Sequence, residues 1–135
     1  MTEFLTVNTN GQGLYEFTGQ LRQLTQSFKG QDGLCTLFVR HTSCSLLIQE
    51  NADPSAKRDL ETWLSRLVTE HDPLYTHTAE GPDDMPAHIK AALTATSISI
   101  PISMGELVLG TWQGIFLWEH RHQAHSRQVA VHISS

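Results

Sequence analysis

The sequence predicts an α+β domain in which two antiparallel sheets pack together beside a helical insert. Three observations predict it. Apolar residues alternate with polar ones in the terminal parts of the chain, the two-residue period of half-buried strands. Between them, residues 54–67 carry apolar side chains at three- and four-residue spacing, the period of an amphipathic helix. Short turn signals rather than long crossovers join neighbouring strand segments, which favours antiparallel pairing.

At 135 residues the chain has the size of one domain, expected to span 1–135. Folding a chain of this length buries about 70% of its unfolded surface, enough for a core without disulfides. An eight-stranded α/β barrel, which needs about 200 residues, is excluded. Nine basic against fourteen acidic side chains give a net charge of −5, the wrong balance for neutralising nucleic-acid phosphates. No apolar run approaches the roughly 18 residues that cross a bilayer, and Met1–Val7 does not resemble a secretory signal. The expectation is a cytoplasmic protein with no nucleic-acid or membrane partner. In that compartment Cys35 and Cys44, both in apolar strand-like segments, are expected to be buried thiols rather than a disulfide.

The elements follow in order. Phe4–Thr9 reads as a strand, Asn10-Gly11 as a tight turn and Gly13–Phe17 as the returning strand. Thr18 is placed to cap a helix presenting Leu21, Leu24 and Phe28 on one side, ended by Lys29-Gly30. Leu34–His41 is a strand apolar on both faces, and Ser45–Glu50 is the next. Asp53-Pro54 starts a helix with a capping carboxylate and a proline at its first position. Its stripe is Leu60, Trp63, Leu64 and Leu67.

Residues 71–83 show no period and end in Gly81-Pro82-Asp83. Asp84 can then cap a third helix with Met85, Ile89 and Leu93 on its apolar side. Ile98, Ile100 and Ile102 line one strand face, and Met104-Gly105-Glu106 turns into Leu107–Leu109. Gln113–His120 and Arg127–Ile133 complete the chain. Gly110–Gly114 reads as a bulge or hairpin corner with Trp112 anchored in the core. Several strands are apolar edges that a homo-oligomer can cover.

The eight histidines are the chemical anomaly, since imidazole is the commonest metal ligand and titrates near neutral pH. His41 closes a strand, His77 lies in the aperiodic loop, and His88 lies one turn after Asp84. No pair has a diagnostic metal spacing. His71, His122, His125 and His132 read as mostly solvent-facing. Glu50-Asn51 stands at a strand-to-helix corner. Glu119 alternates with Ile115 and Leu117 and so points inward, where a carboxylate costs several kcal/mol unless it is paired. Arg121, Arg127 and the histidines are the partners on offer.

Four motifs then occur in one order: His41-Thr42-Ser43, the run Gln49–Pro54 (QENADP), the run His77–Lys90 (HTAEGPDDMPAHIK), and Leu109-Gly110-Thr111-Trp112-Gln113. Together they resemble the YjbQ-like family, also known as secondary thiamine-phosphate synthases, over nearly the whole chain. The resemblance implies a two-sheet β-sandwich of about seven strands with three helices, assembled as a homotrimer. It also implies a pocket for a divalent metal, or an anion in its place, with His41, His77 and His88 as ligands. Zinc suits three imidazoles better than magnesium does. One departure is the histidine-rich turn 120–125, where many relatives carry Asp-Gly-Pro-Arg; Glu119 and Arg127 are kept.

The activity so implied joins a pyrimidine methyl pyrophosphate to a thiazole phosphate with loss of pyrophosphate. In it Arg121 and Arg127 bind phosphate together with Thr111 and Gln113, while Glu119, Glu50 and Asn51 are the catalytic candidates. Imidazole ligands fit a dedicated pyrophosphate site poorly, so this synthesis is expected to be a weak side activity. The native substrate is then another small phosphorylated metabolite. Two alternatives use the same residues: a non-enzymatic metal or phosphometabolite-binding module, and a zinc-dependent hydrolase with Glu50 or Glu119 as general base.

Overall fold

The structure, a computed structural model, describes residues 2–135; Met1 lies outside the described residues. It is α+β, with three helices and two antiparallel sheets. The strands are β1 (Thr2–Thr9), β2 (Gly13–Glu16), β3 (Gly33–Val39), β4 (Cys44–Glu50), β5 (Ser97–Ser103), β6 (Glu106–Leu107), β7 (Gln113–Glu119) and β8 (His125–Ser134). The helices are α1 (Thr18–Thr25), extended by a 3₁₀ turn over Gln26–Phe28, α2 (Pro54–Leu67) and α3 (Asp84–Leu93). The five-stranded sheet runs β1-β8-β3-β5-β6 and the three-stranded sheet β2-β7-β4. Among the described residues the strands number eight rather than about seven, and the two-residue β6 is the shortest of them.

The expected hairpin between the first two strands does not form. β1 pairs with β8 in the large sheet, Thr2 opposite His132 through Thr9 opposite His125. β2 pairs with β7 in the small one. The chain changes sheets through Gly11 and Gly13, both at positive φ, so the glycines serve a crossing between layers. The second turn signal behaves as expected. Met104 (φ 54°) and Gly105 (φ 83°) supply two successive positive-φ residues between β5 and β6. A side chain at Gly105 would also meet the Phe28 carbonyl oxygen at 2.8 Å.

The main core lies between the sheets. Cys35, Leu37 and Val39 of β3, Ile100 and Ile102 of β5, and Val129, Val131 and Ile133 of β8 face Cys44 and Leu46 of β4 and Ile115 and Leu117 of β7. The opposite face of the small sheet holds Leu14, Phe116 and Trp118 against Leu64 and Val68 of the α2 segment. The small sheet is therefore a middle layer, and each of its faces buries apolar side chains. This arrangement points Glu119 at the inter-sheet core, in alternation with Leu117 and Ile115.

Several local expectations change for reasons of packing. β3 is buried on one face only; Leu34 and Phe38 point outward with Phe4, on a sheet face where Phe4, Ala130 and Phe38 lie in cross-strand register. On α2 the buried line is Leu60, Leu64 and Val68, while Trp63 and Leu67 are exposed. Trp112 is also exposed, outside the core it was expected to anchor. Thr18 is not the cap of α1: Phe17 takes that place, and the Thr18 hydroxyl donates to Glu16 and accepts from Ile115 N–H. Asp53 does cap α2, its Oδ1 accepting from Ser55 N–H at 2.9 Å. No helix among the described residues is long and apolar enough to cross a membrane.

Both cysteines are free and buried, Cys35 at 0% and Cys44 at 1% exposure. Burial pushes the Cys35 thiol up to about 11 and Cys44 up to about 12, so the thiolate is scarce near neutral pH. A colorimetric disulfide titrant at pH 8 is expected to find no fast-reacting thiol in the folded protein and two per chain in denaturant. A fast-reacting thiol in the native state would contradict this packing.

Candidate functional site

β7 antiparallel to β4 pairs Glu119 with Cys44 at one end and Gln113 with Glu50 at the other. Six residue steps along a strand separate those ends by about 20 Å, so the candidate residues fall into two groups. Glu50, Asn51, Thr111 and Gln113 share one end. There Asn51 donates its backbone N–H to the Trp112 carbonyl and its side-chain amide to Glu16. Gln113 Oε1 accepts from Gly110 N–H at 2.7 Å, which closes the turn. These contacts make a strand-to-helix corner, with Thr111 exposed on the turn and Glu50 beside the exposed Trp63.

The other end gathers Glu119, Arg121, Arg127 and the three candidate histidines. Glu119 is fully buried and all its acceptor positions are engaged. Oε1 accepts from the Thr9 hydroxyl at 2.6 Å and Arg127 Nε at 2.8 Å. Oε2 accepts from Arg121 N–H at 3.2 Å and from Arg127 Nη2. Burial pulls the Glu119 carboxyl upward, but the hydrogen bonds from Arg127 and Thr9 outweigh it and hold the group below its usual range. Arg127 Nη2 also donates to the Ser43 hydroxyl, so this guanidinium is used within the fold.

Arg121 is likewise engaged. Its Nε donates to Asp83 at 3.0 Å, Nη1 to Asp84 at 2.9 Å and Nη2 to the Glu80 carbonyl at 2.8 Å. The arginine thereby ties the loop before α3 to the end of β7. The buried side of α3 is not the expected Met85–Ile89–Leu93 line. It is Asp84, Pro86, Ala87 and Lys90, preceded by buried Asp83, while Leu93 is exposed. A helix that turns carboxylates inward has reason to hold something positive.

Asp84 meets two histidines. His77 Nε2 stands 2.8 Å from Asp84 Oδ2, and His88 Nε2 stands 3.5 Å from Oδ1. One ligand atom from each residue lies within 4.8 Å of the others. His88 Nδ1 faces the Thr42 carbonyl at 3.2 Å; a carbonyl can only accept, so Nδ1 carries the proton and a neutral ring offers the Nε2 lone pair. Backbone orientation of this kind is usual behind a metal-binding imidazole. Asp84 Oδ2 is buried and has no hydrogen-bond partner, because the His77 ring beside it is close but not aligned to donate. Two imidazole nitrogens and one carboxylate around an orphaned oxygen fit a divalent cation, of the zinc or transition-metal kind before magnesium.

His41 stands outside this group. Its Nε2 accepts the Gln128 backbone N–H at 2.8 Å, which occupies that nitrogen's lone pair. Burial and the Arg127 charge lower its affinity for a proton. Sequence reasoning took Asp84 for a helix cap and missed it as the third donor. The signal was present in the four-residue spacing of Asp84 and His88, which stacks the two on one helix face. His120, a residue given no role, is 1% exposed, and its Nε2 lies 2.9 Å from the Ser45 hydroxyl. Burial, then the Lys90 charge, push the His120 imidazole down to about 3, so it is neutral throughout the physiological range.

Comparison with known proteins adds the family context. A family model described as UPF0047 protein YjbQ-like matches residues 3–135. A UPF0047 protein of Synechocystis is 53% identical over 132 residues, covering 98% of this chain and 90% of that protein. The UPF0047 protein YjbQ of Escherichia coli O157:H7 is 40% identical over 126 residues, covering 93% and 91%. Among solved structures, a conserved hypothetical protein of Thermus thermophilus superposes with a TM-score of 0.87 at 35% identity, covering 98% of this chain and 99% of that one.

Proposed function

The chain belongs to the UPF0047 YjbQ-like family, and from that premise we propose a metal-dependent enzyme of small phosphorylated compounds, with His77, Asp84 and His88 holding one divalent cation. The observation that carries the reading is the buried Asp84 Oδ2, without a hydrogen bond, in a carboxylate that meets both imidazoles. Leaving such an oxygen without a partner costs more than a surface carboxylate ever does, unless a cation belongs beside it.

A cation bound there supplies Lewis-acid stabilisation to negative charge developing on a phosphate or pyrophosphate oxygen. The protein's own residues set the stage for it. Arg121 fixes Asp84 Oδ1 and so aims Oδ2 toward His77. The Thr42 carbonyl fixes the His88 ring. Glu119 and Arg127 lock Ser43 and the end of β7 behind the Arg121 backbone, making them positioning residues.

Thiamine-phosphate synthesis follows from the family resemblance and fits as a weak side activity. A homotrimer follows from the same resemblance, and the outward Phe4, Leu34 and Phe38 of the large sheet are apolar surface for it to cover. A cytoplasmic location completes the reading. The non-enzymatic alternative draws support from one observation: Glu119, the carboxylate best placed to act as a base, has no free acceptor position.

Elemental analysis of untagged protein tests the proposal. About one zinc or similar ion per chain is expected, lost in His77→Ala and in His88→Ala with the far-ultraviolet spectrum unchanged. A wild type that takes up no metal on reconstitution overturns it.

A further inference from the structure

Lys90 lies two residues beyond His88, which turns it about 200° around α3, away from the His77–Asp84–His88 group. It is only 4% exposed, and no hydrogen bond or ion pair among the described residues reaches its ammonium group. The acids whose charge it feels are Glu70 and Asp83. Both are engaged elsewhere: Asp83 with Arg121 and the His122 N–H, Glu70 with His122 Nε2. A lysine buried to this degree without a counter-ion is unusual.

The side chain lines a cleft of about 350 Å³, near the small end of the range for metabolite pockets. Trp118 and Leu64 form its apolar wall, and Thr62, Ser65 and Arg66 of α2 form its rim. The Thr62 and Ser65 side chains and the Arg66 guanidinium are exposed and make no hydrogen bond among the described residues. Glu61, the acid of this cleft with an accessible side chain, has Oε2 accepting from Leu14 N–H at 2.7 Å. Gln12 donates to the His120 carbonyl. The His120 ring, held against Ser45, adds no charge.

We propose that this cleft between α2 and the end of β7 is an anion-binding site that takes the phosphate group of a small metabolite, with Lys90 as its buried anchor and Arg66, Ser65 and Thr62 closing over it. The chemistry matches the donor set. Lysine binds phosphate as a point charge, and hydroxyls and a guanidinium satisfy the remaining oxygens. The two arginines that sequence reasoning assigned to phosphate, Arg121 and Arg127, are both held by the protein's own carboxylates. Among the described residues, Lys90 is the buried cation left for a ligand. The site shares its ligand class with the metal reading but not its residues, so either can fail without the other.

Calorimetric titration with inorganic phosphate and with pyrophosphate, at constant ionic strength, tests it on wild type, Lys90→Met, Arg66→Glu and Ser65→Phe. The expected result is one site per chain, weakened about ten- to hundredfold in Lys90→Met and clearly in the other two, with metal content and Tm of the rim variants unchanged. Since Lys90→Met keeps the side chain's length and replaces an unpaired ammonium on a largely buried residue with an apolar group, its Tm is expected to equal or exceed that of wild type. If Lys90→Met does not fold, the two rim variants decide alone. No phosphate binding by wild type at tens of millimolar overturns the proposal. So does binding that survives Lys90→Met, or both rim changes, but is lost in His88→Ala, which places the anion at the metal group.

Discussion

Asp84→Asn is expected to lower affinity for the divalent cation by ~100-fold or more, because even residues that only orient metal ligands commonly contribute ten- to hundredfold. The substitution is close to isosteric. The amide oxygen can still accept from Arg121 Nη1, now 2.9 Å from Oδ1. The substitution removes the orphaned acceptor together with its charge and leaves Arg121 paired with Asp83, so the folded state is expected to be kept. The comparison that decides is His41→Ala, which removes an acceptor for Gln128 N–H and leaves the three clustered donors in place. Metal retained in His41→Ala and lost in Asp84→Asn identifies a two-histidine, one-carboxylate centre. The reverse result identifies the three-histidine set expected from the family resemblance.

The largest change in stability is expected from Arg127→Met. It leaves Glu119 at 0% exposure with its charge opposed by hydrogen bonds from Thr9 and the Arg121 N–H alone. Breaking one side of a buried ion pair typically costs ~3–5 kcal/mol, or ~10 °C or more in Tm for a domain of this size. The double replacement Arg127→Met with Glu119→Leu is expected to recover most of that loss, since paired removal of buried charges is often neutral.

The pH dependence should also change sign. In the wild type the Glu119 carboxyl sits below its usual value of about 4.3. It therefore contributes stability above that value and loses it as pH falls through the lowered folded value. In Arg127→Met, burial acts without the guanidinium and raises the carboxyl instead. That variant should be least stable at neutral pH and regain stability as the pH is lowered toward 5. Denaturant unfolding at pH 5 and 7.5 reads both signs, and parallel curves for the two proteins would sink this account.

Much of the secondary structure was legible because its causes are local. Asp53-Pro54 starts α2 through a cap and a preset proline φ, both decided within three residues. Met104-Gly105 turns β5 into β6 because two adjacent residues accept positive φ. The alternation of Ile98, Ile100 and Ile102 reports one buried face. The inward direction of Glu119 was legible too, since parity along a strand carries orientation without knowing the partner strands.

Partner choice was not legible. β1 and β2 look like a hairpin, and nothing near Asn10-Gly11 reveals that β8 and β7, about 100 residues or more later in sequence, are their partners. The outward Trp63, Leu67 and Trp112 misled because apolar periodicity says that a face exists, not what covers it.

The candidate site divides the same way. The sequence by itself marked His77, His88, Glu119, Arg121 and Arg127 as chemistry in need of partners. It held the four-residue spacing that puts Asp84 beside His88. Only the tertiary structure decided which charges neutralise one another. It gave Arg127 to Glu119 and Arg121 to Asp83 and Asp84. It set His41 against a backbone N–H, left Asp84 Oδ2 buried without a hydrogen bond, and left the largely buried Lys90 without an ion pair. The reason is physical: a side chain's type and local direction follow from neighbours in sequence, whereas the pairing of a charge depends on distances of a few ångströms between segments far apart in the chain.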